Sequence, residues 1–117
     1  MMLDTYIGAQ IDQAVLNNYF GHLVNLFFKI LPIRENERDT LCAYMESLQA
    51  EMLGCSNVIV AVHSDPMYLS LLSILQYLID HPACEMKVIR REVFKAISIC
   101  NKLKSRYSCT SDEVTKV

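Results

Sequence analysis

Three stretches of this chain space their apolar residues in alternating steps of four and three. Leu41, Met45, Leu48, Met52, Cys55, Ile59 and Val62 form one series; Leu16, Phe20, Leu23, Phe27 and Ile30 form a second; Ile89, Val93, Ala96, Cys100, Leu103 and Tyr107 form a third. That alternation sets each series on one stripe of an α-helix, the seam that helices bury against one another in bundles. Chance does not readily produce three such seams in 117 residues. A chain of this length makes one domain, and with only three glycines and three prolines it lacks the turn residues of an all-β fold.

The punctuation between the seams divides the chain into four helices, over 4–31, 36–63, 66–80 and 84–107. Asp4 can cap the first, and Pro32 stops it near Leu31. Asn36 with Asp39 three residues on resembles a capping box for the second. Asp65 followed by Pro66 supplies an N-cap acceptor and then a residue whose missing N–H costs nothing at the first helical position. Pro82 parts the third helix from the fourth. The predicted fold is therefore an all-α, compact four-helix bundle over 1–107, followed by a polar tail, 108–117, that is expected to fray.

One segment reads two ways. SNVIVAVHS, residues 56–64, is β-branched and follows Gly54. Paired with EMKVIR across the third helix, it would give an α/β alternative with a small βαβ unit at 57–90. Two isolated parallel strands leave their edges unpaired, and parallel sheets are normally covered on both faces. The second seam also runs through Gly54 without a slip, which favours a continuous or kinked helix. The third helix, MYLSLLSILQYLI, and the end of the first, LVNLFFKIL, carry more apolar surface than three neighbours hide, so self-association is expected.

Five cysteines, an odd number with no CxxC pair, are expected to be reduced thiols rather than a disulfide framework. The opening residues lack the basic and apolar regions of a signal peptide, and the longest apolar stretch, 67–79, is too short to span a bilayer. The expectation is a cytoplasmic chain with no membrane partner.

Chemistry-bearing patterns are sparse. His22, His63 and His81 are far apart, and no C-x₂₋₄-C or H-x₃₋₅-H spacing marks a metal site. His63, Ser64 and Asp65 are adjacent, whereas a catalytic triad needs groups that converge in space, and Asp65 already serves as a helix cap. The three glycines are isolated, so no phosphate loop forms. No enzyme activity, cofactor or metal is expected.

Charge is the exception. Residues 1–84 hold three basic and nine acidic side chains; residues 85–107 hold seven basic and two acidic. On a helix, Lys87, Arg91, Lys95, Lys102 and Arg106 share an arc of about 100° opposite the seam, forming a stripe about 29 Å long with Phe94 at its edge. Such a stripe is a wet helix face, the complement of the acidic second helix (Glu35, Glu37, Asp39, Glu46, Glu51), or a surface for an acidic protein partner. A small nucleic-acid-binding regulator, with DHPACE as the turn of a helix-turn-helix, is the alternative; the chain's net charge of −2 opposes it. As partner-binding residues, Lys87, Arg91, Phe94, Lys95, Lys102 and Arg106 lie clear of the seam, so reversing charge at Arg91, Lys95 and Lys102 is expected to leave the fold intact. The principal expectation is a non-enzymatic, self-associating helical interaction module.

Leu48 lies mid-seam and Leu75 at the centre of the most apolar helix. Truncating either to alanine is expected to cost roughly 2–5 kcal/mol in urea-monitored unfolding. A loss at Leu75 below about 0.5 kcal/mol, the usual range for a surface change, would place its helix at the periphery.

Overall fold

The computed structural model describes residues 2–108. An antiparallel hairpin opens the fold, β1 (Met2–Asp4) and β2 (Gln10–Asp12), with Leu3 opposite Ile11. Helices follow: α1 (Gln13–Phe28), α2 (Ile30–Asn36), a 3₁₀ turn (Arg38–Thr40), α3 (Leu41–Val58), the short α4 (Val60–His63), α5 (Pro66–Asp80) and α6 (Met86–Arg106). The chain is an all-α bundle with one small appended hairpin.

The seams organise its core. Every residue of the three series is buried except Cys55, which is half-buried. Leu48 and Leu75 are both buried, and α5 adds Tyr68, Leu71, Ile74 and Leu78. α6 is the common partner against which α1, α2 and α5 pack, while α3 packs on α5 and α2. At the centre Phe20 meets Tyr68 edge-on at 6.1 Å and stacks on Tyr107 at 5.8 Å, joining α1, α5 and the end of α6. Tyrosine hydroxyls buried in such a core need acceptors. Tyr68 donates to the Met52 carbonyl (2.8 Å) and Tyr44 to the Leu26 carbonyl (2.7 Å), the latter at the orphaned end of α1.

Four boundaries differ from the expected ones. The first helix begins at Gln13 rather than at residue 4, because the seam does not extend upstream of Leu16. Thr5, Tyr6 and Ile7 favour extended backbone, and Gly8 adopts φ +90°, which closes the hairpin. Asp4 is no cap; its carboxylate accepts from Gln10 (2.8 Å), and Asp12 caps α1 by accepting from the Ala14 amide (3.0 Å). Pro32 acts one turn earlier than expected. Having no N–H for the Phe28 carbonyl, it ends α1 at Phe28, yet it sits in the first turn of α2, where no N–H is required. Asn36 closes α2 instead of capping the next helix, and α3 starts at Leu41 after the 3₁₀ turn, without a side-chain cap.

Residues 56–64 form a kinked helix with a single extended residue at the kink. Ile59 takes φ −98° and ψ 116° and bridges Thr5, while the Tyr6 amide donates to the Val58 carbonyl (2.8 Å). Residues 86–90 are the start of α6, so the βαβ alternative does not form. The hairpin covers the kink, and Ile59 and Val62 stay buried in the seam's register.

Asp65 and Pro66 start α5 as expected, with the Asp65 carboxylate accepting from the Met67 amide (2.9 Å). The same carboxylate pairs with Arg106 at the far end of α6. α6 therefore runs back alongside α5, and the two helices close as an antiparallel hairpin instead of the open angle of a helix-turn-helix. The residues of the tail from Cys109 on lie outside the described residues.

Asp65→Ala removes both the cap and the partner of Arg106 and should cost about 2 kcal/mol. Asp65→Asn keeps a cap acceptor and removes only the charge, so it should cost about half as much. Urea unfolding of the two variants checks this; equal losses would show that the cap contributes nothing.

Candidate partner-binding face

α6 is built to be a long amphipathic helix. It holds no glycine or proline, its last turn carries Lys104 and Arg106, which suit the negative end of the helix dipole, and its buried residues are the seam plus Glu92. The outer arc carries Lys87, Arg91, Phe94, Lys95, Lys102 and Arg106, all exposed, together with Arg90. The predicted stripe is thus presented on one face.

Its cations are not equivalent. Glu92, only 7% exposed, lies beside the seam and is held from both sides, by Arg91 (3.1 Å) and Lys95 (3.2 Å). A carboxylate that far from water needs paired donors, so these two side chains are part of the fold. Reversing charge at Arg91 and Lys95 would therefore set like charges against Glu92, contrary to the expectation that the core is indifferent to them. Arg106 is engaged by Asp65 and approaches Met67 Sδ (3.0 Å), which makes it a latch between α5 and α6. Lys87 meets exposed Glu85 at 3.7 Å. Among the described residues, Arg90 and Lys102 have no acidic partner within 4 Å.

The acidic second helix is not the complement of the stripe. Its acidic residues Glu35, Glu37, Asp39, Glu46 and Glu51 are exposed and form no ion pair among the described residues, while the acids that do engage α6 are Asp65, Glu85 and Glu92. Both signs of charge are left facing outward.

Phe94 is 46% exposed and packs edge-to-face on Phe28, itself 49% exposed, with ring centroids 5.7 Å apart. Two phenylalanines in contact and half in water make a small apolar patch among cations. Phe28 escaped the sequence reading. Its signal was the doublet Phe27-Phe28, of which a helical seam can bury only one. Separately, Leu69, Ser73, Ile74, Lys95 and Ile99 line a shallow groove between α5 and α6. Leu69 and Tyr77 are exposed as well, so α5 and the end of α1 leave apolar surface uncovered, as their composition implied.

The remaining reactive groups are tied into the fold. His63 Nδ1 lies 3.1 Å from the Ser56 carbonyl and its ring meets Tyr6 edge-on, while Asp65 is occupied as cap and ion-pair partner. Burial pushes the Tyr19 and Tyr68 hydroxyls and the Cys55 thiol up, and lifts Cys100 to about 12. These groups stay protonated at neutral pH, as donors or apolar filler rather than nucleophiles. Among the described residues, Cys42, Cys55, Cys84 and Cys100 are free thiols, and no group of three or more His, Cys, Asp or Glu side chains is placed to hold a metal. No helix among the described residues is long and apolar enough to cross a membrane. No family model, no curated protein and no solved structure matches the chain.

Thiol reactivity follows from this placement. In a Cys109→Ser background, a chromogenic disulfide reagent at about pH 8 should modify exposed Cys42 first, because the thiolate is the reactive form and needs access. Cys100, buried and kept neutral up to about 12, should react only as fast as the protein unfolds. Labelling of Cys100 as rapid as that of Cys42 would contradict its burial.

Proposed function

We propose that this protein is a non-enzymatic helical interaction module that associates with itself, the outer face of α6 docking on the acidic α2–α3 side of a second copy. The observation that carries this reading is the Phe28–Phe94 pair, exposed among cations on a chain whose acidic side chains at 35, 37, 39, 46 and 51 make no ion pair among the described residues. Apolar anchors ringed by charge are the usual anatomy of a recognition surface, with aromatics supplying affinity and charge supplying orientation. A second copy offers the complementary charge in the same molecule. Reciprocal docking of basic on acidic faces would also close a two-fold dimer. The free thiols among the described residues suit a reducing compartment, where the module would remain free of disulfides.

Sedimentation velocity and light scattering at two salt concentrations test the proposal. The wild-type chain should sediment as a dimer or larger assembly that weakens as salt rises. Phe94→Ser and Lys102→Glu alter the face without touching Glu92 or Asp65, so each should shift the protein toward monomer while its melting temperature stays within the usual surface range, about 0.5 kcal/mol in stability. Glu46→Lys with Glu51→Lys should do the same from the other side. A monomer at all salt concentrations that binds random-sequence DNA, with affinity falling steeply as salt rises, would replace this reading with the nucleic-acid one.

A further inference from the structure

A second constellation lies at the corner where α2 meets the start of α6. Arg34, in the last turn of α2, is only 8% exposed. Its guanidinium donates through Nη2 to the Cys84 carbonyl (3.2 Å); among the described residues its Nε has no acceptor and no carboxylate lies within 4 Å of it. Arginine does not shed its charge inside a protein, and a buried cation without a counter-charge is costly. Among the described residues, Arg34 Nε is thus a buried donor with no acceptor.

The Cys84 carbonyl stands two residues before the first residue of α6, so the guanidinium is anchored at the N-terminus of a 21-residue helix. That terminus is uncapped. Glu85, in the cap position, makes no side-chain cap bond; its carboxylate is exposed and turns toward Lys87. The amides of Val88 and Ile89 both donate to the Glu85 carbonyl (2.9 and 3.1 Å). Those of Met86 and Lys87 have no acceptor among the described residues. One deeply set guanidinium, two helix amides without an acceptor among the described residues and the positive end of a six-turn dipole therefore share a corner, where the exposed Glu85 carboxylate turns aside toward Lys87.

We propose that this corner binds a small free oxyanion of the inorganic phosphate class. An anion answers all three deficits together: it supplies the missing counter-charge, accepts from the guanidinium and accepts from the helix amides. A neutral hydroxyl ligand would leave the charge uncompensated, and a cation would be repelled. The depth of Arg34 selects a compact group over a bulky one. The site uses neither Phe28 nor Phe94.

The test is a ¹⁵N-resolved titration of the whole chain with sodium phosphate, against sodium chloride at matched ionic strength. Saturable movement of the Met86 and Lys87 amides and the Arg34 Nε resonance is expected with phosphate alone. Met86→Pro removes one donor at a position where helices accept proline, and the Glu85 backbone (φ −59°, ψ 148°) already suits a residue before proline. It should weaken phosphate binding about tenfold, the usual weight of one charge-assisted hydrogen bond. Arg34→Gln should abolish binding; should that variant fail to fold, the wild-type titration and Met86→Pro still decide. Equal shifts in chloride, undiminished binding by Met86→Pro, or capture by phosphatidic-acid vesicles without any response to free phosphate would each overturn the proposal.

Discussion

The burial of the α6 seam is the constraint on which the rest of the structure depends. Ile89, Val93, Ala96, Cys100, Leu103 and Tyr107 are the surface against which α1, α2 and α5 are laid down, so α6 sets the positions of helices that barely touch one another. Burying a side chain of this kind contributes on the order of 1.5–3 kcal/mol, well above the polar ties at the periphery. The aromatic cluster around Phe20 shows the consequence. Tyr107 reaches Phe20 because α6 runs along α1, and Tyr68 closes the cluster because the buried face of α5 packs on α6, with the Asp65–Arg106 pair at its edge. Gly21 assists, since the stem of Lys104 crosses α1 where any side chain would stand 3.1 Å away.

A helix that is central to a core and rich in cations has to settle its charges locally. Glu92 is the clearest result, a carboxylate next to the seam kept tolerable by Arg91 on one side and Lys95 on the other. Asp65 does the same for Arg106 while also starting α5. These pairings divide the seven basic residues of 87–106 into structural and unengaged members. Among the described residues Lys102 and Arg90 are left without acidic partners, and Phe94, between them in sequence, packs on Phe28. The stripe is therefore not the complement of the acidic helix, and its unengaged part shares a helix face with exposed aromatic area.

Periodicity made the seams readable because helical spacing and burial are linked by geometry alone: residues three and four apart must share a face. The same logic exposed the stripe, its residues lying opposite the seam. Boundaries were harder. Asp4, Asn36 and Asp65 are equally good cap residues in isolation, yet only Asp65 caps, because capping also requires a helix that pays its way by packing immediately downstream, and residues 4–12 have no seam to pack. Ile59 shows the limit from the other side: its β-branched neighbourhood suggested a strand, and one residue of it became extended where Thr5 supplied a bridging partner from 54 residues upstream.

Sequence by itself determined the helical class, the three buried stripes, the start of α5 and the segregation of charge, because each is written in neighbouring residues. Tertiary structure decided that Glu92 is buried and that Arg106 reaches Asp65. Arg91, Lys95, Lys102 and Arg106 look alike along the chain, but the partners that separate them are a buried carboxylate one residue from the seam and a cap 41 residues away. Phe28 against Phe94 and Arg34 against the start of α6 belong to the same class. The Asp65–Arg106, Arg34–Cys84 and Phe28–Phe94 contacts join residues 41, 50 and 66 positions apart, which nothing local encodes. Only the packing of α1, α2 and α5 on α6 brings them together, whereas Arg91 and Lys95 find Glu92 within one turn of their own helix.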